Sequence, residues 1–192
     1  MMSYKKLMFA LLACFMPSLG ISAQGDRILA GKEAEEVVTK ITAAHESLAS
    51  INADFIQSKS SSLFSGTVVQ KGRFGYAFPD RIKWDYTYPT KMSVNFNDKS
   101  NKMVSQLKGL IVNTINGYNL TDNRNFKPTY VRKQDESVEV VLTPINKRLR
   151  SMYQSITISL DKDTFLARHI SFKETSGDVT EISFVNQETT RK

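Results

Sequence analysis

Two histidines, one cysteine and a few acidic turns are the residues of this sequence best suited to chemistry, and none has the company that chemistry needs. His45 falls in a helical pattern and His169 in a strand pattern, and neither has a carboxylate or histidine neighbour at metal-ligand spacing. Asp161-Lys162-Asp163 lacks the glycine and the later glutamate of a calcium loop and reads as a turn. Gly72-x-x-Gly75 has neither the third glycine nor the following helix of a phosphate cradle. No Gly-x-Ser-x-Gly elbow occurs. The expectation is a protein that is not an enzyme and holds no metal or cofactor. The formal charge is +7, of which Lys5 and Lys6 supply two, and no basic cluster is interleaved with aromatics, so no nucleic acid is expected. The run Lys147-Arg148-Leu149-Arg150 reads as a solvated loop, with docking on headgroups or an acidic partner as the alternative.

What the sequence does carry is oily surface in a regular pattern. Between Lys71 and Pro89, Phe74, Tyr76 and Phe78 alternate with small or polar residues, then Ile82, Trp84, Tyr86 and Tyr88 alternate with Lys83, Asp85 and Thr87. Period-two alternation puts each set on one face of a strand. Pro79-Asp80 interrupts the run as a turn, which makes the stretch an antiparallel hairpin with one apolar face. Each ring taken alone reads as core packing; only the ensemble suggests a surface kept for a guest.

The elements that must position this hairpin follow from the rest of the chain. Lys5-Lys6, the apolar run Leu7–Met16 and the exit Pro17–Ala23 form a secretory signal too short to span a bilayer, with cleavage expected after Ala23. The domain would then be 24–192, without cysteine and without disulfides. Leu11-Leu12-Ala13-Cys14 also has the form of a lipobox, which would instead make Cys14 a lipidated first residue. Between Gly25 and Ser50, Ala34, Val37, Val38, Ile41, Ala44, His45 and Leu48 follow helical spacing, with Glu33, Glu35 and Glu36 at the favourable end of the dipole. A strand begins at Ile51, and Ser58–Ser65 is a loop. Ser65–Ala77 is one long strand or a tight hairpin, with glycines as kinks. Met92, Val94 and Phe96 predict another strand, closed by Asn97–Asn101. Leu107, Leu110, Ile111, Thr114, Ile115 and Tyr118 predict a short helix stopped at Asn116-Gly117. Strands then recur at Phe126–Lys133, Val138–Leu142, Ile156–Leu160, Leu166–Phe172 and Ile182–Phe184. The pattern is mainly β with short helices (α+β): one domain, a curved antiparallel sheet or open barrel.

With these pieces in order, the chain resembles the periplasmic lipoprotein carrier family, LolA, whose fold is shared by the outer-membrane acceptor LolB. The matching features are the N-terminal helix, Ala53-x-Phe55-x-Gln57, then Gly72, Pro79, Trp84 and Pro89, and later Val141-Leu142-Thr143-Pro144, from about Glu33 to Val185. The resemblance implies an open half-barrel lidded by helices, whose cavity takes up the acyl chains of lipoproteins. Implied partners are acylated lipoproteins, an inner-membrane release complex and an outer-membrane acceptor, with transient membrane contact and a monomeric state. The cavity residues expected are Phe55, Phe74, Tyr76, Phe78, Ile82, Trp84, Tyr86, Met92, Val94, Phe96, Leu110, Ile111, Val140, Leu142, Ile158 and Phe172, with Leu107, Leu110, Ile111 and Ile115 as lid. Two departures stand out. Where the family's carrier ties its lid with an arginine immediately before the proline, this chain has Phe78. The segment from Met92 to Leu107 is also expected to be shorter, and a long C-terminal extension to be missing. A LolB-like acceptor anchored through Cys14 and a lipid-sensing module on the same fold are the alternatives.

Overall fold

The computed structural model describes residues 25–63, 65–96, 102–121 and 125–192. The expected export signal, Cys14 and the Asn97–Asn101 turn lie outside these residues. One antiparallel sheet of ten strands dominates, in the order β1-β6-β7-β8-β9-β10-β2-β3-β4-β5, open at β1 and β5. The strands are β1 (Arg27–Ile28), β2 (Leu48–Ser60), β3 (Thr67–Ala77), β4 (Arg81–Tyr88), β5 (Met92–Ser93), β6 (Phe126–Arg132), β7 (Val138–Pro144), β8 (Tyr153–Leu160), β9 (Ala167–Glu174) and β10 (Val179–Arg191). The helices are α1 (Lys32–Glu46), α2 (Lys102–Ile115), α3 (Tyr118–Thr121) and α4 (Lys147–Met152). The mainly β, half-barrel expectation is what the chain adopts.

The aromatic hairpin forms in the register its alternation demands, with Phe74 opposite Trp84 and Tyr76 opposite Ile82. Phe55 of β2 lies across the same face, its ring centroid 4.8 Å from that of Trp84 and 5.2 Å from that of Tyr86. Gly72 is what admits the Phe55 ring: a Cβ there would stand 2.5 Å from Phe55 Cζ and 2.1 Å from the Asp85 carbonyl oxygen. A side chain at this position would collide with backbone, so the kink belongs to close approach rather than to flexibility.

The sheet's inner face carries two apolar clusters, one per covering helix. Under α1, Val37 and Ile41 pack on Tyr130, Val140, Leu142, Ile156 and Ile158. Under α2, Phe55, Phe74, Trp84, Phe96 and Ile182 form an aromatic group against which Ile111 and Ile115 rest. Several expectations need correction. β2 runs Leu48–Ser60, so Leu48 leaves the helical pattern and Ser58–Ser60 are strand rather than loop. Met92, Val94 and Phe96 make only the two-residue edge strand β5, after which Phe96 turns inward and is buried. The Lys147–Arg150 run is a helix rather than a loop, because the Asn146 side chain accepts from Leu149 N at 2.9 Å and caps it. Tyr118 starts α3 instead of ending α2, since Gly117, at φ +76°, stops the longer helix.

Candidate functional site

Between α2 and the sheet lies an apolar cavity of about 60 Å³. Its floor is Ile51 (β2), Phe74 (β3), Trp84 (β4), Ile156 and Ile158 (β8), Ala167, Ile170 and Phe172 (β9) and Phe184 (β10). Its roof is Leu110, Ile111, Thr114 and Ile115 of α2, and His45, Leu166 and Gln187 close one end. The floor follows from strand pairing. Because β10 runs antiparallel to β2 with Phe184 opposite Phe55, the last strand carries its inward rings up to the hairpin. Phe184 then sits 5.5 Å from Phe74 and 6.3 Å from Trp84, centroid to centroid.

The few polar groups at the walls are mostly engaged. Gln187 donates to the Ala167 carbonyl at 2.7 Å, and the buried Asn119 donates to Thr114 Oγ1 and to the Leu110 carbonyl, each at 3.2 Å. His45 donates from Nδ1 to the carbonyl of Ile115, while its Nε2 and the indole Nε1 of Trp84 are buried with no hydrogen-bond partner among the described residues. Burial pushes the His45 pKa below its ordinary value, which outweighs the carbonyls of Ile115 and Phe165 acting the other way; Arg191 nearby lowers it further. The imidazole is therefore neutral at neutral pH.

Those contacts also fasten α2. Besides His45, the Tyr76 hydroxyl shares its hydrogen between Asn116 Oδ1 at 2.9 Å and the Pro79 carbonyl at 3.0 Å. Lys108 pairs with Asp80 at 2.9 Å across the β3–β4 turn. Phe78 takes no part: it is about half exposed, with the Lys192 ammonium 3.5 Å from its ring centroid.

Of the residues singled out from the sequence, Phe74, Trp84, Leu110, Ile111, Ile115, Ile158 and Phe172 are brought together at the cavity wall. Phe55, Val140 and Leu142 stand outside it as buried core, and Tyr76 and Phe96 are likewise core. Ile82, Tyr86 and Val94 are half-buried behind the aromatic group, and Phe78 and Met92 face solvent. Leu107 belongs to α2, its side chain lying outside the described residues. Sequence reasoning missed Ile51, Ile156, Leu166, Ala167, Ile170 and Phe184, although Ile51, Ile156, Ile170 and Phe184 all alternate inward. It missed His45, Thr114 and Gln187 because nothing in a polar residue type announces an apolar wall. Among the described residues, no group of three or more His, Cys, Asp or Glu is placed to hold a metal ion, and no helix is long and apolar enough to cross a membrane.

The sheet is open, and its inner face is split between solid core and a helix-roofed apolar space. The chain belongs to the family of the outer membrane lipoprotein carrier protein LolA, whose model matches residues 46–192. Among solved structures it is similar to a LolA superfamily protein from Nitrosomonas europaea, at 10% identity over 82% of this chain and 93% of that one, TM-score 0.29. It is also similar to a DUF1329 family protein from Desulfovibrio piger, at 10% identity over 81% and 91%, TM-score 0.34. A chain of the Pseudomonas aeruginosa MucA/MucB complex is similar at 10% identity over 81% and 56%, TM-score 0.37. No curated protein matches the chain.

Proposed function

We propose that this protein is a periplasmic carrier that takes the acyl chains of lipoproteins into the cavity beneath α2 and passes them from the inner to the outer membrane. The observation that carries the reading is the cavity itself: apolar walls from six strands under a roof of one amphipathic helix. The floor residues Phe74, Trp84, Ile158 and Phe172 and the lid residues Leu110, Ile111 and Ile115 would meet the chains. Phe55, Val140 and Leu142 would support the floor.

The cavity volume supports a particular way of working. A methylene is about as large as a water, which occupies roughly 30 Å³ in the liquid, so this closed form accepts only a few methylenes. A whole acyl chain requires α2 to lift. Enclosure yields roughly 0.8 kcal/mol per buried CH₂, so a chain of about sixteen carbons gains on the order of 12 kcal/mol if fully enclosed. That is enough to offset both lid opening and much of the loss of the bilayer. Release then needs only that the lid be lightly held. The donor would be a release complex in the inner membrane and the recipient an acceptor at the outer membrane.

The test is binding of a fluorescent long-chain acyl probe, followed by incubation with inner-membrane vesicles bearing lipoproteins. Ile111→Asp puts a carboxylate in the roof and should weaken probe binding at least tenfold, since an unpaired buried charge is costly. Lys83→Asp, on the exposed outer face, should leave it unchanged. Equal effects would remove Ile111 from the ligand site. Probe binding without release of any lipoprotein would leave a lipid sensor rather than a carrier.

A further inference from the structure

One end of the half-barrel differs in character from the other. The register brings the β2–β3 loop, the β4–β5 turn, α4 and the β9–β10 turn to the same rim, with Ser60 opposite both Thr67 and Val179, and Tyr153 opposite Glu174. Neighbouring turns are stitched together: Ser62 Oγ donates to the Ser176 carbonyl at 2.8 Å, and Thr175 Oγ1 to the Ser151 carbonyl at 2.9 Å. The rim is thus a surface of linked turns.

Twelve large apolar side chains are exposed among the described residues, and seven of them are on or beside this rim. Leu63 is the most exposed, at 81%, and Val68, Tyr88, Met92, Ile145 and Met152 accompany it. Cations stand among them. Lys147, Arg148 and Arg150 of α4 are exposed, as are Lys91 and Lys71, and none has an ion pair among the described residues. The nearby carboxylates Glu174 and Asp178 are taken up by Lys59, at 3.3 and 3.8 Å. Uncompensated positive charge interspersed with apolar tips is the composition that lies down on a negatively charged bilayer, where cations meet phosphates and apolar side chains enter the headgroup boundary.

We propose that this rim is a docking surface for anionic phospholipid membranes. The occupant is set by charge complementarity together with the exposed apolar tips, which an acidic protein surface would not need and a bilayer rewards. The inference goes beyond the carrier reading and is independent of it: neither an acyl-binding cavity nor a membrane-docking rim requires the other.

The experiment is co-sedimentation of the full mature chain with vesicles of phosphatidylcholine containing phosphatidylglycerol, against vesicles of phosphatidylcholine alone. The native protein should bind the anionic vesicles, and less so as salt rises. The variant Lys147→Glu/Arg148→Glu/Arg150→Glu should lose binding by roughly a hundredfold, taking each cation as worth about a factor of five at the surface. Lys32→Glu/Arg81→Glu/Lys162→Glu changes net charge equally away from the rim and should bind nearly as the native protein does. Leu63→Asp alone should weaken binding several-fold, with thermal melts and the acyl-probe titration unchanged in all variants. Absence of native binding to anionic vesicles overturns the proposal and leaves an acidic protein as the partner for the rim. Equal losses in the two triple variants overturn it in favour of net charge.

Discussion

The contact most open to a decisive test is the one between His45 and the end of α2. Ile115 is the last residue of that helix, so its carbonyl has no donor within the helix and depends on His45. His45→Phe keeps a buried flat ring and removes the donor. A buried acceptor left without a partner costs roughly 1–3 kcal/mol, and deleting the unpartnered Nε2 returns about 1 kcal/mol of that. The net of about 0–2 kcal/mol, centred near 1, falls on the hold of the proposed lid and is worth roughly a 5-fold and at most about a 30-fold change in its closing equilibrium. Release of a preloaded acyl probe, followed by stopped flow, should quicken by that factor at pH 7.5. The native protein should approach the same behaviour on acidification. His45 has its pKa lowered from 6.5 chiefly by burial, with the Ile115 and Phe165 carbonyls opposing and Arg191 assisting. The released state therefore binds the proton more readily than the closed one. Lid stability should be complete above pH 6.5 and decline as pH falls from there toward the lower closed-state value. In His45→Phe that slope should vanish. An unchanged release rate with an unchanged pH slope would refute the assignment. A lower Tm with release unaltered would reduce His45 to ordinary core.

Two further predictions concern the frame. Gly72→Ala places a methyl 2.1 Å from the Asp85 carbonyl and against the Phe55 ring, so it should cost about 3 kcal/mol or more, read as a large fall in Tm or loss of soluble protein. A variant as stable as the native chain would show that β3 and β4 can part without penalty. Asp178 accepts from Ser62 N at 3.0 Å and from Ser61 Oγ at 3.1 Å, and these bonds, the first of them foremost, hold its carboxyl below 3.8. The β2–β3 loop should stay docked above that pH and loosen as pH falls through the lower folded value, and Asp178→Asn should flatten this acid transition in amide exchange of Ser61 and Ser62. Persistence of the full transition in Asp178→Asn would assign it to another carboxylate.

The hairpin was legible because a period of two is a local property: Phe74, Tyr76, Ile82 and Trp84 declare their face within twenty residues. What separated cavity from core was not local. Val140 and Ile158 both point inward and sit opposite one another in the register, yet one is sealed core and the other reaches the cavity. Ile158 shares the cavity wall with Leu110, Ile111 and Ile115 of α2 and Val140 does not, a difference that no strand pattern encodes. Phe184 was missed for a related reason. Its alternation was visible, but its place beside Phe74 depends on β10 closing against β2, across almost the whole chain. Phe78 was misplaced by the same alternation that found Tyr76. The strand ends at Ala77, so the next ring in the series leaves the face and meets Lys192 instead.

That displacement of Phe78 bears on how a lid formed by α2 would be held under the proposed carrier reading. An arginine at the position would offer charge-assisted, bidentate bonds, which are roughly twice as strong as neutral ones. Here the hold on α2 is redistributed over the neutral imidazole of His45, the single phenolic hydrogen of Tyr76 and the Lys108–Asp80 pair, in which Asp80 is more than half exposed. Neutral bonds contribute about 1 kcal/mol each and an exposed ion pair less. On the proposed reading, these contacts of the described residues are ones that a few buried methylenes would outweigh, since each returns roughly 0.8 kcal/mol. On the proposed carrier reading, a cavity of about 60 Å³ would be no obstacle to a long-chain ligand, because the first few methylenes to enter would supply what opening the rest requires.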